Sequence, residues 1–577
     1  MNNKTKQVLV PVLLGVFTAV AFILGAKFGE KRVITEEGLF QSPRKLFEGE
    51  DDVIAARKMS DVLHYVSRMY VDTVNMSDLV DRVIPQLTET LDPHTAYIKA
   101  EDLQITNDEL ASSFFGIGVQ FNLRNDTVNV VQVISGGPSE KAGLRAGDKI
   151  IAVDDSVFVG PKLNNEVVVK TLRGPKDTHV KLGIKRAGVA ETLSYEVIRG
   201  EVAQETVDAF YMADDQTGYV KVDRFGEKTH AEFYEALLTL QAEGARRFIV
   251  DLRNNGGGFL PVAGEMLNFL LDEGDTIVYT CGRGETRANA GEVLMSRGAP
   301  VISAPIVVLI NENSASASEI FAGAIQDNDR GVIVGSRSFG KGLVQQQIPI
   351  SGGAALRLTI ARYYTPSGRC VQKYYGEDYD YRAETAMRYE HGEMTNADSM
   401  KKAAEKDSMV YKTCKLGRTV YGGGGIMPDI FVPLDTNMSP FARKVLLSDL
   451  VYEFSYKYAE DHPSEIEAYK KNGDYKMTYK NLMHDSVYRE FLAYAKKEKN
   501  FVPSYGDVHE PAFGVMPDTQ RKIMRLLVAY LIRSIHGSDD HHQRPFYWAY
   551  NLDDNAFREA LKAFTSKEMK EILERNK

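Results

Sequence analysis

Pro305-Ile306-Val307-Val308-Leu309-Ile310-Asn311-Glu312-Asn313-Ser314-Ala315-Ser316-Ala317-Ser318-Glu319 is the stretch on which the reading of this chain turns. Its first six residues form a short, branched, apolar run of the length of a buried strand. Glu319 to Gln326 then reads as helix, so the serines occupy a polar strand-to-helix turn. At the first turn of a helix, backbone N–H groups lack intrahelical acceptors and the dipole favours negative charge. An oxyanion developing beside Ser316 is therefore expected to meet the N–H of Ala317.

Outward from this turn, strand-like and helix-like segments alternate. A strand at Gly218 to Val222 precedes a helix with Phe233, Leu237 and Leu240 on one face; a strand at Phe248, a helix from Leu260 to Leu271 and strands at Ile277, Ile306 and Val332 follow. That alternation predicts an α/β core with crossover connections. The Phe248 strand runs into Asn254-Asn255-Gly256-Gly257-Gly258, where glycines let backbone approach a ligand and aim N–H groups into a concavity. Downstream, Phe339-Gly340-Lys341-Gly342 offers an amine. A serine hydroxyl needs a neighbouring unprotonated base, and lysine serves if burial lowers its pKa. Taken one at a time, a serine before a helix is usually a cap, and Gly-Lys-Gly or a glycine run is usually an exposed turn.

At 577 residues the chain exceeds a single core, and its 44% hydrophobic and 26% charged content is that of a globular protein. A net charge of −9 argues against nucleic acid as a principal partner. Cys281, Cys370 and Cys414 are too few and too scattered for a disulfide framework or a zinc site. Asp539-Asp540-His541-His542 reads as a solvated loop in preference to a metal site. Val8 to Ala26 is apolar, follows Lys4 and Lys6, and is near the length that spans a bilayer. An uncleaved anchor is favoured over a signal peptide cut near Ala19-Val20-Ala21, which predicts a single-pass bacterial inner-membrane protein with a periplasmic catalytic part.

The expected organisation is an N-region over 1–7, an anchor over 8–26, a linker over 27–54 and a helical region over 55–105 ending near Leu91-Asp92-Pro93-His94. Short strands with turns fill 110–200. The α/β core covers 205–436 with an inserted segment over 371–420, and a helical extension follows over 437–577. Within 110–200, Phe115-Gly116-Ile117-Gly118-Val119 and Gly136-Gly137-Pro138 resemble a PDZ domain. Gly116, Ile117, Gly118 and Val119 are its candidate peptide-binding residues, turning N–H groups to a carboxylate beside a free strand edge.

Val308 to Gln347, together with Asp251-Leu252-Arg253-Asn254-Asn255-Gly256-Gly257-Gly258, closely resembles the C-terminal processing (tail-specific) serine proteases. The resemblance implies a crotonase/ClpP-like α/β core, Ser316 as nucleophile, Lys341 as general base and Gln345 as support for the lysine. It also implies Gly257 and Ala317 as oxyanion donors, Arg173 as a link between PDZ domain and site, and no cofactor or metal. Polypeptides with accessible C-termini are the implied substrates; an adaptor or lipoprotein activator, the membrane and a second copy of the chain are further expected partners. Two other readings stay open: an inactive, membrane-tethered PDZ scaffold, and a crotonase-type enzyme acting on thioesters.

Overall fold

The computed structural model describes residues 50–575, apart from 111–112, 125, 135, 146, 187, 377–378, 407–408, 436–437, 509–517 and 537–542. It divides into two units, the first ending at Leu87 and the second running from Thr88. The first holds helix Glu50–Met69 and most of helix Met76–Glu89; the longer helix buries none of its residues, and Val62, Tyr65 and Met69 are exposed.

The expected placement as a single-pass inner-membrane protein is corrected here. Among the described residues no helix is long and apolar enough to cross a membrane. The longest, Glu50–Met69, opens on Glu50, Asp51 and Asp52 and carries charges along its length, which a bilayer core does not accommodate. The 8–26 segment and the 539–542 loop both lie outside the described residues.

In the second unit, a sheet runs in the order Val207–Met212, Thr217–Val222, Arg247–Asp251, Ile306–Ile310, Gly331–Gly335, Ile430–Phe431. The first pair is antiparallel and all later pairs are parallel. Parallel central strands need cover on both faces, and their unbroken apolar runs follow from that. One face packs on helices Thr229–Ala242, Leu260–Asn268 and Ala317–Asp327 through Phe233, Leu237, Met266 and Phe321. The other presents Tyr219, Ile249, Val307, Leu309 and Val334 to Phe557, Phe564, Met569 and Ile572 of the C-terminal extension. The extension is thus a layer of the catalytic fold and also has its own helical core around Phe454, Phe491 and Leu527.

A second, antiparallel sheet joins Ala96–Ile98, Ala355–Tyr364, Thr276–Gly282 and Glu292–Met295, with Leu343–Pro349 paired to Ala355–Tyr364. Residues 96–98, read from sequence as part of the helical region, therefore pair with the core, Ala96 facing Arg357. A separate sheet over Val119–Ile198, in the order Val119–Arg124, Thr127–Val133, Lys149–Val153, His179–Lys185, Leu193–Ile198, closes around Val128, Ile150, Leu182 and Val197.

Candidate active site

Strands Arg247–Asp251, Ile306–Ile310 and Gly331–Gly335 are parallel neighbours, with Asp251 opposite Leu309 and Ile310 opposite Gly335. The segments that follow them leave the sheet at one carboxyl end, where ligands of such sheets bind. The first segment carries Gly256, Gly257 and Gly258, the second Ser316 and the third Lys341. Gly256 and Lys341, 85 positions apart, are gathered with Ser316 because their strands are adjacent.

Ser316 stands at φ 57° and ψ −115°, immediately before helix Ala317–Asp327. A positive φ is costly for a residue with a Cβ and persists only where the surroundings impose it. Here the glycine loop imposes it. The Ala315 N–H and the Ser318 hydroxyl donate to the Asn255 carbonyl at 3.0 and 2.9 Å, and the Ser314 hydroxyl donates to the Leu252 carbonyl at 2.8 Å. Asn311 and Asn313 donate side-chain N–H groups to Asn254 Oδ1 at 2.8 and 3.0 Å. Gly257, at φ 101°, lies so close that a Cβ there would come within 2.6 Å of Ser316 Cβ and 2.9 Å of the Ala317 nitrogen. Ala317 is wholly buried and opens the helix, so its N–H has no intrahelical acceptor. The Gly257 N–H, by contrast, donates to Asn255 Oδ1 at 2.8 Å.

Glu319 joins the serine and lysine segments. Its Oε2 accepts the N–H groups of Ser316 and Lys341 at 2.9 and 2.8 Å. Its Oε1 accepts the Ser338 hydroxyl at 2.6 Å and the Gly340 N–H at 2.7 Å. Complete burial pushes this carboxyl up to about 7, against the pull of those four hydrogen bonds. The Tyr363 hydroxyl lies between the carbonyl oxygens of Ser316, at 3.0 Å, and Lys341, and can donate its proton to either. Burial lowers the pKa of the Lys341 amine, and the Arg357 charge lowers it further; Glu319 and Asp92 act the other way. Among the described residues no hydrogen bond joins Lys341 Nζ to Ser316 Oγ.

Gln345 does not reach the lysine amine by a hydrogen bond; its Nε2 donates to the His94 carbonyl at 2.6 Å. His94 Nε2 pairs with the Tyr381 hydroxyl at 2.8 Å, and burial, aided by the Lys341 charge, depresses its pKa to about 4. Asp92 fixes this corner by accepting the N–H groups of His94 and Thr95, each at 2.8 Å.

In the β domain, Ile117, Gly118, Val119, Phe121, Val169 and Leu172 line a groove of about 290 Å³ between strand Val119–Arg124 and helix Asn165–Leu172. The strand is at the edge of its sheet. Gly118 turns at φ 74°, and Gly116 ends strand Ser113–Gly116 opposite Gly200. Arg173 also lines the groove, with its guanidinium 4.3 Å from the Phe114 ring centroid and 3.8 Å from Asp108.

Sequence reasoning missed Glu319, Tyr363, Asn255 and His94 as site-forming residues. One of them had a local signal: Ser316-x-x-Glu319 has the spacing of a capping box, in which the acidic side chain reaches back to the N-cap N–H. The partners of Tyr363 and Asn255 are distant in sequence and carried none.

The arrangement is that of a serine-type peptidase core coupled to a peptide-binding β domain. The model of peptidase family S41 matches residues 216–382, and that of the PDZ domain residues 116–197. A carboxy-terminal-processing protease of Bartonella bacilliformis is 36% identical over 319 residues, 55% of this chain and 72% of the relative. Carboxy-terminal processing protease CtpB of Bacillus subtilis is 31% identical over 322 residues, 55% of this chain and 66% of the relative. A carboxyl-terminal-processing protease of Synechocystis is 35% identical over 301 residues, 50% of this chain and 68% of the relative. The chain belongs to peptidase family S41, the carboxy-terminal-processing serine proteases, and carries their PDZ domain.

Proposed function

We propose that Ser316 is the nucleophile and Lys341 the general base of a protease that cuts polypeptides near an accessible C-terminus. Neutral Lys341 takes the Ser316 hydroxyl proton as Oγ attacks the scissile carbonyl. The tetrahedral oxyanion is held by the Ala317 N–H and by a glycine-loop N–H at Gly257. Collapse expels the amine, which receives the proton from Lys341, and leaves an acyl-serine. Lysine, neutral again, then deprotonates the water that releases the acid. Gln345 steadies the lysine once it exchanges the His94 carbonyl for the amine.

The observation that carries this reading is the buried Glu319 carboxylate, which accepts the N–H groups of Ser316 and Lys341 together. The lack of a hydrogen bond between Ser316 Oγ and Lys341 Nζ among the described residues and the engaged Gly257 N–H fit a resting form, in which substrate must displace Asn255 Oδ1 and close the dyad. A tail adding to strand Val119–Arg124 would place an apolar last residue among Ile117, Val169 and Leu172. Arg173 links that groove through Asp108, on helix Ala100–Leu110, to strand Ala96–Ile98 beside the His94 corner. Ser316→Ala and Lys341→Ala are expected to abolish cleavage of an unstructured C-terminal peptide, read by mass spectrometry, and fluorophosphonate labelling, with the thermal melt unchanged. A folded Ser316→Ala or Lys341→Ala chain that still cleaves removes the dyad.

A further inference from the structure

The inserted segment over 371–420 has no assigned role, yet it contains a buried ionic cluster packed against the Lys341 loop. Glu384 is 5% exposed, and Lys373 and Arg388 are each 3% exposed. Lys373 Nζ lies 3.2 Å from Glu384 Oε2, and Arg388 Nε pairs with Glu384 Oε1. The Lys373 ammonium is also 4.0 Å from the Phe339 ring centroid and 4.2 Å from that of Tyr381. Burying charges this completely recovers little net stability, because desolvation offsets their attraction and apolar residues pack as well. What the cluster supplies is direction.

That direction is visible in the backbone of residues 338–342, where each N–H and each C=O has a partner. The N–H groups of Ser338 and Phe339 donate to the carbonyls of Ile426 and Ser314. Those of Gly340 and Lys341 donate to Glu319, and that of Gly342 donates to Gln372 Oε1 at 2.8 Å. Arg388 donates to the carbonyls of Ser338 at 2.7 Å and Phe339 at 3.4 Å. The Lys373 N–H donates to the Gly340 carbonyl at 2.9 Å, and Tyr363 serves the carbonyls of Lys341 and Gly342. Glu319 thus takes N–H groups from one side of this loop, while the insertion supplies the donors to three successive carbonyls and the acceptor for Gly342. Contact is close enough that a Cβ at Gly342 would come within 2.5 Å of the Gln372 nitrogen.

We propose that Gln372, Lys373, Glu384 and Arg388 are positioning residues for Lys341: the insertion holds the lysine-bearing loop in the register from which its amine can reach Ser316. The proposal rests on Lys341 being the base. A peptide unit displaced by about 1 Å costs on the order of 100-fold in rate when the displaced group does chemistry.

The test uses the full chain and a C-terminal reporter peptide, with kcat, KM, the pH profile of fluorophosphonate labelling and a thermal melt recorded for each variant. Arg388→Gln and Gln372→Met are expected to lower kcat about 10- to 100-fold. KM is expected to stay within about twofold and the acid limb of the labelling profile to move. Gln372→Glu keeps the acceptor for the Gly342 N–H and is expected to retain more kcat than Gln372→Met. Folded variants with wild-type kcat and an unmoved acid limb overturn the proposal. Should Arg388→Gln not fold, the Gln372 pair decides alone, since its side chain is only half-buried. Activity in Lys341→Ala would mean that the dyad reading has failed; inactive Lys341→Ala beside fully active loop variants would sink the positioning role only.

Discussion

Gly257→Ala and Gly256→Ala differ by one residue and one methyl group each, and the structure separates their outcomes sharply. At Gly256 an added Cβ meets nothing within 4 Å, and its φ is not positive. At Gly257 φ is 101° and the methyl would lie 2.6 Å from Ser316 Cβ, 2.7 Å from the Ala315 carbonyl and 2.9 Å from the Ala317 nitrogen. Ordinary contact begins at 3.4 Å, so the loop or the serine turn must give by about 0.8, 0.7 and 0.5 Å at those three atoms. The backbone conformation adds about 1–3 kcal/mol of strain for a residue with a Cβ. The three atoms that must move are Ser316 Cβ, the Ala315 carbonyl oxygen and the Ala317 nitrogen, which carry the proposed nucleophile and one proposed oxyanion donor, so on that proposal the loss falls on the transition state. Removing an oxyanion donor costs about 2.7–4 kcal/mol, or roughly 10²–10³ in kcat. We therefore expect Gly257→Ala to lose at least about 100-fold in kcat while Gly256→Ala stays within about threefold. The assay is steady-state cleavage of the reporter peptide, with circular dichroism to establish that both variants are folded. A folded Gly257→Ala chain of wild-type kcat would falsify the placement of the glycine loop against Ser316.

Val169→Asp puts a carboxylate into the apolar groove of the PDZ domain and should raise KM for a tail-bearing substrate about tenfold or more, leaving fluorophosphonate labelling of Ser316 unchanged. Because burial lowers the Lys341 pKa and only the neutral amine is a base, kcat/KM should rise with pH through a midpoint below 10.5; a midpoint at or above that value argues against a buried base. His94 has its folded pKa depressed from 6.5 to about 4, so the unfolded chain binds more protons between those values. Stability should accordingly fall as pH drops through that window, and His94→Gln should flatten the corresponding fall in melting temperature. Deleting residues 437–577 uncovers Tyr211, Tyr219, Ile249, Val307, Leu309, Val332 and Val334 on one sheet face. At about 1.5–3 kcal/mol for each fully buried apolar side chain, that loss matches the whole stability of a domain. The truncated chain should be insoluble, and a monodisperse, cooperatively melting product would contradict the three-layer fold.

Sequence alone determined the features that depend on neighbours along the chain. Strand Ile306–Ile310 declared itself by unbroken branched apolar residues, the helix after Ser316 by its polar turn, and the PDZ domain by its glycines. Ser316 and Lys341 could be named because each lies in a short motif of distinctive composition. Spatial order was decided only by tertiary structure: the strands leading to Gly257, Ser316 and Lys341 became neighbours through sheet pairing, which local pattern does not encode. The same holds for Glu319 as a bridge, for Gln345 bonding to His94, and for the insertion gripping residues 338–342. The C-terminal extension shows the difference most plainly. Its aromatic residues had the spacing of a helical core, but that Phe557 and Phe564 would cover a sheet laid down more than two hundred residues earlier follows from that sheet needing a second apolar layer. Periodicity records that a face is apolar; what it is apolar against is settled by which surface remains uncovered when the rest has packed.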